Sequence, residues 1–264
     1  MNASLDEEID VLPPEGFSGP PGCILKLDKA LYGLVQAAFA WQKHLAEILI
    51  DIGCKPLKTD PATYYLREGD EFIIIPTHVD DLFPTTNSKR LLDKVWDKLA
   101  TKLTMKDLGV VQNALKTRIQ IDKKSGVIKF SNTPYIEQIV EKFNMVGCKM
   151  AETPAELNKP LTVEYWTKLT EEQQKGNQAK FPVRSGIGCF RWVCQMSRPD
   201  VKEACQYLSK WAHQPTPQLW ENCKRVIRYL SHTKELGLVM VRPDNWQQEW
   251  DNLIRSYVDS DWVA

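Results

Sequence analysis

No apolar run in this chain reaches the roughly 18 to 20 residues that a membrane span needs, so no spanning helix is expected. The N-terminus is acidic and lacks the apolar core of a secretory signal. Seven Cys, an odd number with no CxxC pair, point to reduced thiols and an intracellular setting, cytoplasmic or nuclear. Cys189 and Cys194 are too few to argue a zinc site. Histidine is scarce as well. His44, His213 and His232 have no carboxylate or Cys at ligand spacing and read as surface residues. Internal repeats and low-complexity tracts are missing. Net charge is also absent, with Lys+Arg 34 against Asp+Glu 34, but the cancellation hides an uneven distribution. Residues 1–22 hold five acids and no Lys or Arg, whereas residues 178–242 hold eleven Lys/Arg against four acids. A basic block of that size could track a phosphate backbone, or be a solvated helix face.

What is present is an ordinary globular composition, 43% hydrophobic and 9% aromatic, over 264 residues. That length suits one large domain or two modest ones. The densest apolar stretch, Phe72 to Ile75, leads through Val79 into Asp80 and Asp81, and Leu82 and Phe83 follow at once. Short runs with β-branched and aromatic residues predict strands, which places the acidic pair at a hairpin tip. An Asp-Asp pair by itself is an acidic turn. Here a strand on each side would hold the pair rigid, and adjacent carboxylates stay ionised only beside something positive. Mg²⁺, which takes one or two carboxylates plus substrate phosphates, is the obvious partner.

In chain order, residues 1–24 are polar and then Pro/Gly-rich, predicting an extended arm. From Asp28 as N-cap, apolar residues at three- and four-residue steps predict a helix over Lys29–Ile52, stopped by Gly53. Thr63–Arg67 and Phe72–Val79 read as strands around a Gly69-Asp70 turn, and Ser88–Leu103 as an amphipathic helix. Val111–Ile121 and Val127–Phe130 form a predicted hairpin, with a helix after Thr133-Pro134. Residues 148–181, including the polar run Thr170–Lys180, read as a connector. Helices follow at about Val183–Met196, Val201–His213 and Pro217–Ser231, then strands at Leu236–Val241 and Ile254–Val258. Trp41, Trp96, Trp192 and Trp211 fall on helical stripes and are expected in the core. Trp246 and Trp250, in a polar stretch, would stack on bases or a partner, or pack against the final strand.

The order of short motifs resembles one family. Leu31-Tyr-Gly-Leu-Val-Gln-Ala-Ala-Phe-Ala-Trp41 is similar to the LYGLKQAPRAW segment of copia-type LTR-retrotransposon reverse transcriptases, and His78-Val-Asp-Asp81 to their YVDD hairpin. Met105–Gly109 resembles MKDLG, and Tyr135–Met145 a Y-I…F-x-M helix. Ser197–Asp200 resembles S/T-R-P-D, Arg225–Leu230 R-V-x-R-Y-L, and Thr233–Leu238 T-K-x-L-G-L. Tyr257-Val-Asp-Ser-Asp-Trp262 is similar to the opening of the family's ribonuclease H domain. The collinear set runs from Asn2 to Trp262.

The resemblance implies an α+β right-hand polymerase, an RNA-directed DNA polymerase that is a magnesium- or manganese-dependent nucleotidyltransferase acting on an RNA/DNA primer–template. Residues 1–24 would be an arm and 25–131 a palm-like domain. Residues 132–242 would be a helical thumb and connection, and 243–264 the start of ribonuclease H. Asp80 would be a catalytic metal ligand and Asp81 its close support. Gln36 would face the incoming nucleotide, and Arg191, Lys224, Arg225 and Arg228 the nucleic-acid backbone. Asp259 would be the first ribonuclease H carboxylate. A two-metal site also needs a bridging carboxylate from another strand. The family supplies it in a motif whose end resembles Asn2-Ala3, so its expected place is upstream of Met1. Further departures are His78 for Tyr, Val35 and Phe39 for Lys and Arg, and Ala114-Leu115-Lys116 for F-L-G. Together they predict an impaired polymerase, or a domesticated remnant that binds nucleic acid or a protein. An exposed palm edge would be covered by the arm, a homodimer or another partner.

Overall fold

A computed structural model describes residues 7–242 except 21, 32, 35 and 157–168. The strand expected at Ile254–Val258, Trp246 and Trp250, the motif around Asp259 and the Asn2-Ala3 match lie outside the described residues. The chain divides into two compact units, Met1–Gly109 and Val110–Ala264. Both mix helices with antiparallel strands, the expected α+β class.

In the first unit, β1 (Asp10–Val11) pairs with β2 (Leu25–Lys26), so the arm is extended but carries a short ladder. The helix α1 spans Ala37–Ile52, not Lys29–Ile52. Gly33, at φ 106°, sits in the left-handed region that ends helical geometry, and i→i+3 turns at Leu34 and Ala37 lead into the helix instead. At the other end Gly53 caps α1 at φ 107°, as expected. Then come β3 (Lys55–Pro56), β4 (Thr63–Glu68), β5 (Glu71–His78), β6 (Asp81–Leu82), β7 (Thr85–Thr86) and α2 (Lys89–Lys102). The sheet order is β3-β4-β5-β6, with β7 also on β5. Alternation along β5 buries Ile73 and Ile75. Against them collect Trp41, Leu45, Leu49 and Ile52 of α1, and Leu91, Val95 and Leu99 of α2. Fully burying each such aliphatic side chain contributes about 1.5–3 kcal/mol, so this core fixes where the end of β5 stands.

The second unit opens with β8 (Asn113–Ala114), β9 (Thr117–Asp122) and β10 (Val127–Ser131). The strand expected over Val111–Ile121 is broken, because Leu115 and Lys116, at φ 50° and 60°, make a two-residue turn between β8 and β9. Helices α3 (Thr133–Lys142), α4 (Glu171–Lys180), α5 (Val183–Met196), α6 (Lys202–Ser209) and α7 (Pro217–His232) precede β11 (Leu238–Val241), and the sheet order is β11-β10-β9-β8. The run Thr170–Lys180, read as connector, is the helix α4. It buries no side chain and rests on a capping box between Thr170 and Gln173. The helix expected to His213 stops at Ser209, where i→i+3 bonds to Trp211 and Ala212 tighten the chain. Apolar stripes of α3, α5, α6 and α7, centred on Ile136, Phe190, Cys205 and Ile227, form the core of this unit. Among the described residues no helix is long and apolar enough to cross a membrane.

Candidate active site

The acidic pair stands at a hairpin tip. Registers Thr77↔Leu82 and His78↔Asp81 leave Val79 and Asp80 as a two-residue loop between β5 and β6. Such loops need positive φ at one or both central positions, which favours Gly, Asn or Asp. Here the residue at positive φ is Val79, at 52°. A β-branched side chain in the left-handed region is a strained outlier and persists only where its surroundings over-determine it. The surroundings are visible. Trp41 Nε1 on the buried face of α1 donates to the Val79 carbonyl at 2.7 Å. One residue pair back, Thr77 N and Oγ1 both donate to the Ala62 carbonyl, at 2.9 and 2.7 Å. Phe83 N closes the base of the hairpin on the Pro76 carbonyl at 3.0 Å.

Asp80, Asp81 and His78 are all exposed. Among the described residues neither aspartate is tied down by an ion pair or a side-chain hydrogen bond. The other acids of this sheet are neutralised. The Lys94 ammonium and the Arg90 guanidinium hold the Glu68 carboxyl below its usual range, and Arg90 with the Ser88 hydroxyl does the same for Glu71. Among the described residues of the strands themselves, Asp81 is thus the acid left without an ion pair, and Asp80 stands beside it in the loop. Asp80 and Asp81 offer the hard oxygen donors that Mg²⁺ or Mn²⁺ takes. Among the described residues no group of three or more His, Cys, Asp or Glu could hold a metal ion. The donor set thus fits one side of a two-ion site and not the whole.

Gln36 immediately precedes α1, five positions before the Trp41 that grips the hairpin, and its Nε2 donates to Glu7 Oε1 at 2.6 Å. Phe39, where the resemblance expects a cation, is 69% exposed. Val35 lies outside the described residues.

The four cations proposed for nucleic acid all lie in the second unit, and they do not form one free patch. Lys224 pairs with Glu221, and Arg228 Nη2 lies 3.6 Å from the same carboxylate. Arg225 reaches Glu156 at 3.2 Å and Thr153 Oγ1 at 3.0 Å. Arg191 is exposed on α5. Asp259 lies outside the described residues.

Sequence reasoning missed two features. Trp41 reads as core, yet it is also the clamp on the tip. Arg198 reads as part of a helix-start motif, yet its side chain is 1% exposed. It binds Asp200 through Nε and Nη2, at 2.9 and 2.7 Å, and the Thr233 carbonyl and hydroxyl, both at 2.8 Å. Burial would push the Asp200 carboxyl up, but hydrogen bonds from Arg198 and Tyr229 outweigh it and hold the group below its usual range. The S-R-P-D motif was the available signal. What hid the role is that Thr233, the partner of Arg198, lies 35 positions away.

Comparison with known proteins gives a consistent picture. Residues 1–157 match the family described as reverse transcriptase (RNA-dependent DNA polymerase). The chain is 33% identical over 236 residues to the retrovirus-related Pol polyprotein from transposon TNT 1-94 of Nicotiana tabacum, covering 88% of this chain and 18% of that one. It is 27% identical over 273 residues to the Pol polyprotein from transposon RE1 of Arabidopsis thaliana, covering 100% of this chain and 17% of that one. The putative transposon Ty5-1 protein of Saccharomyces cerevisiae is 29% identical over 243 residues, 90% of this chain and 75% of that protein. The chain therefore spans less than a fifth of the length of the two plant polyproteins. No solved structure matches.

Proposed function

Given that this chain belongs to the reverse transcriptase (RNA-dependent DNA polymerase) family and is a reverse-transcriptase-like domain of copia-type retrotransposon Pol polyproteins, we propose that the first unit carries the palm. In this reading the Asp80–Asp81 hairpin is one side of its metal site, and the second unit supplies the thumb and connection. By itself the chain is then impaired in nucleotide addition. The observation that carries this is the tip itself: two exposed carboxylates on a strained, clamped turn, with no third ligand beside them among the described residues.

Asp80 and Asp81 are the residues that would hold Mg²⁺ or Mn²⁺. When bound, such ions activate a primer 3′-hydroxyl and neutralise the leaving pyrophosphate. The chain's own contribution is positional. Trp41 and Thr77 fix the tip, so a bound ion would meet a preset pair of oxygens rather than a mobile loop. Gln36, at the start of the same helix, would border the nucleotide once Glu7 releases it. With Phe39 and Val35 in place of cations, less positive charge would face a triphosphate.

A primer-extension assay with Mg²⁺ or Mn²⁺ tests this, wild type against Asp80→Asn. The expected result is no extension by this chain. Extension that Asp80→Asn abolishes would show the pair sufficient and overturn the impairment. Extension that survives the substitution would mean the metal site is elsewhere.

The second reading is a non-enzymatic remnant that binds nucleic acid or a protein. Eleven Lys/Arg against four acids over 178–242 support nucleic acid. The ion pairs at Lys224, Arg225 and Arg228 lower the number of phosphates it could neutralise. Retention on duplex at low salt, lost steeply as salt rises, is its expected signature. No retention at low salt would leave the protein-binding version.

A further inference from the structure

Among the described residues, the two larger sheets end on strands of two kinds. The edge strands β3, Lys55–Pro56, β6, Asp81–Leu82, and β8, Asn113–Ala114, are two residues long. Short length, a charge or a proline is how natural sheets keep an edge from pairing with another chain. The fourth edge, β11, has none of these devices. It reads Leu238-Val-Met-Val241, and all four side chains are exposed, between 38% and 62%. Uncharged segments of high strand propensity without proline are the kind that pair with copies of themselves. The ladder also shows which backbone groups this edge presents. Arg242 N donates to the Gly126 carbonyl, one step beyond the Val127↔Val241 pair. Hydrogen-bonded and non-hydrogen-bonded pairs alternate along an antiparallel ladder. Leu238 and Met240 therefore bond to β10, while the N–H and C=O of Val239 and Val241 point away from it.

We propose that β11 pairs with β11 of a second copy, antiparallel and about a two-fold axis, in a weak homodimer. Two observations select this occupant. The strand is complementary to itself: centred on Val239, a two-fold ladder sets Val239 opposite Val239 and Leu238 opposite Met240 of the partner. Residues directly opposite share a face, so apolar side chains meet on both sides of the extended sheet. Charge then fixes the direction. Arg242 follows the strand and Glu235 precedes it, and both are exposed. Antiparallel pairing brings each Arg242 to the start of the partner's strand, next to Glu235, whereas parallel pairing sets arginine beside arginine. A ladder this short buries well under the about 1,200 Å² of a stable complex, so the dimer is weak.

Sedimentation velocity on the full chain between about 1 and 300 µM tests the proposal, with circular dichroism to check folding. The wild type should move from monomer toward dimer as concentration rises. Val239→Pro removes an N–H that points at the partner and none that β10 uses, so this variant should stay monomeric throughout. If proline disrupts the strand, Val239→Lys, at an exposed position, carries the same expectation. Glu235→Arg should weaken association about tenfold, and Glu235→Arg/Arg242→Glu should restore it. Failure of the double variant to restore it overturns the antiparallel arrangement. A wild type that stays monomeric at every concentration overturns the dimer, and so does a dimer that neither Val239 variant weakens. A monomer whose Val239 and Val241 amides resist hydrogen exchange also overturns it, and would assign the edge to the rest of this chain. Nucleotide and metal enter none of these readouts, so they stand or fall apart from the active-site assignment.

Discussion

Two turns, one in each unit, solve the same local problem in different settings. Val79-Asp80 and Leu115-Lys116 each join antiparallel strands through two residues, and each puts non-glycine residues at positive φ. Each is also held by a distant side chain that donates to a carbonyl of the turn. Trp41 Nε1 reaches Val79 at 2.7 Å, and Asn132 Nδ2 reaches Lys116 at 3.0 Å. The first turn presents two unpaired carboxylates, whereas the second sets Lys116 over the ring of Tyr135 at 4.6 Å. The motif resemblance separates their histories. V-D-D matches the family's hairpin motif at the first turn. At the second, Lys116 stands where the family's F-L-G has glycine.

Removing the clamps should break the comparison most visibly. Asn132 is fully buried and joins three groups: its Nδ2 donates to the Lys116 carbonyl and Thr117 Oγ1, and its Oδ1 accepts from Ser197 at 2.5 Å. Asn132→Ala leaves several buried polar groups without partners, at about 1–3 kcal/mol each before water compensates, so a loss of about 3 kcal/mol is expected in urea unfolding. Trp41→Phe keeps most of the ring packing and removes only the donor. Because Val79 is 41% exposed, water can replace that bond, and about 1.5 kcal/mol is expected. The reverse order of these two losses would show that the Trp41 clamp, not the Asn132 network, is the more desolvated.

How much of this was legible depends on range. The alternation that buries Ile73 and Ile75 is local, so β5 and the hairpin tip were readable from the sequence. Gly33 lay inside an otherwise helical pattern, and periodicity alone ran the helix through it. The helix α4 has no apolar stripe, and only its capping box, Thr170 with Gln173, could have announced it. At the site, the identity and placement of Asp80 and Asp81 were legible, but the strain at Val79 and its clamp were not. Trp41 and Val79 are 38 positions apart, and nothing in either neighbourhood signals their bond. The same holds for Arg225 and Glu156, 69 apart, which converts an expected phosphate contact into an ion pair.

Glycine at the strained positions sharpens the contrast. A left-handed conformation costs an L-residue roughly 1–2 kcal/mol, and glycine gives back about 0.5–1 kcal/mol of that in unfolded-state entropy. Val79→Gly should therefore stabilise the fold by about 1 kcal/mol, the β-branched case being the more strained. It should also speed amide exchange at Asp80 and Asp81, since the tip would no longer be confined to one conformation. A stabilised variant with unchanged exchange at the tip would show that Trp41, rather than the strain, keeps the carboxylates in place.

Lys116→Gly should give less. It relieves similar strain but forfeits the cation–π contact with Tyr135, about 0.5–1 kcal/mol at an exposed site, leaving a gain of no more than about 0.5 kcal/mol. The sign is informative. A small gain means that the lysine is merely tolerated at a left-handed position that glycine would occupy without strain. A loss, read as a lower urea midpoint, means that the turn has re-adapted around Lys116 and Tyr135, and the two strained turns are then alike after all.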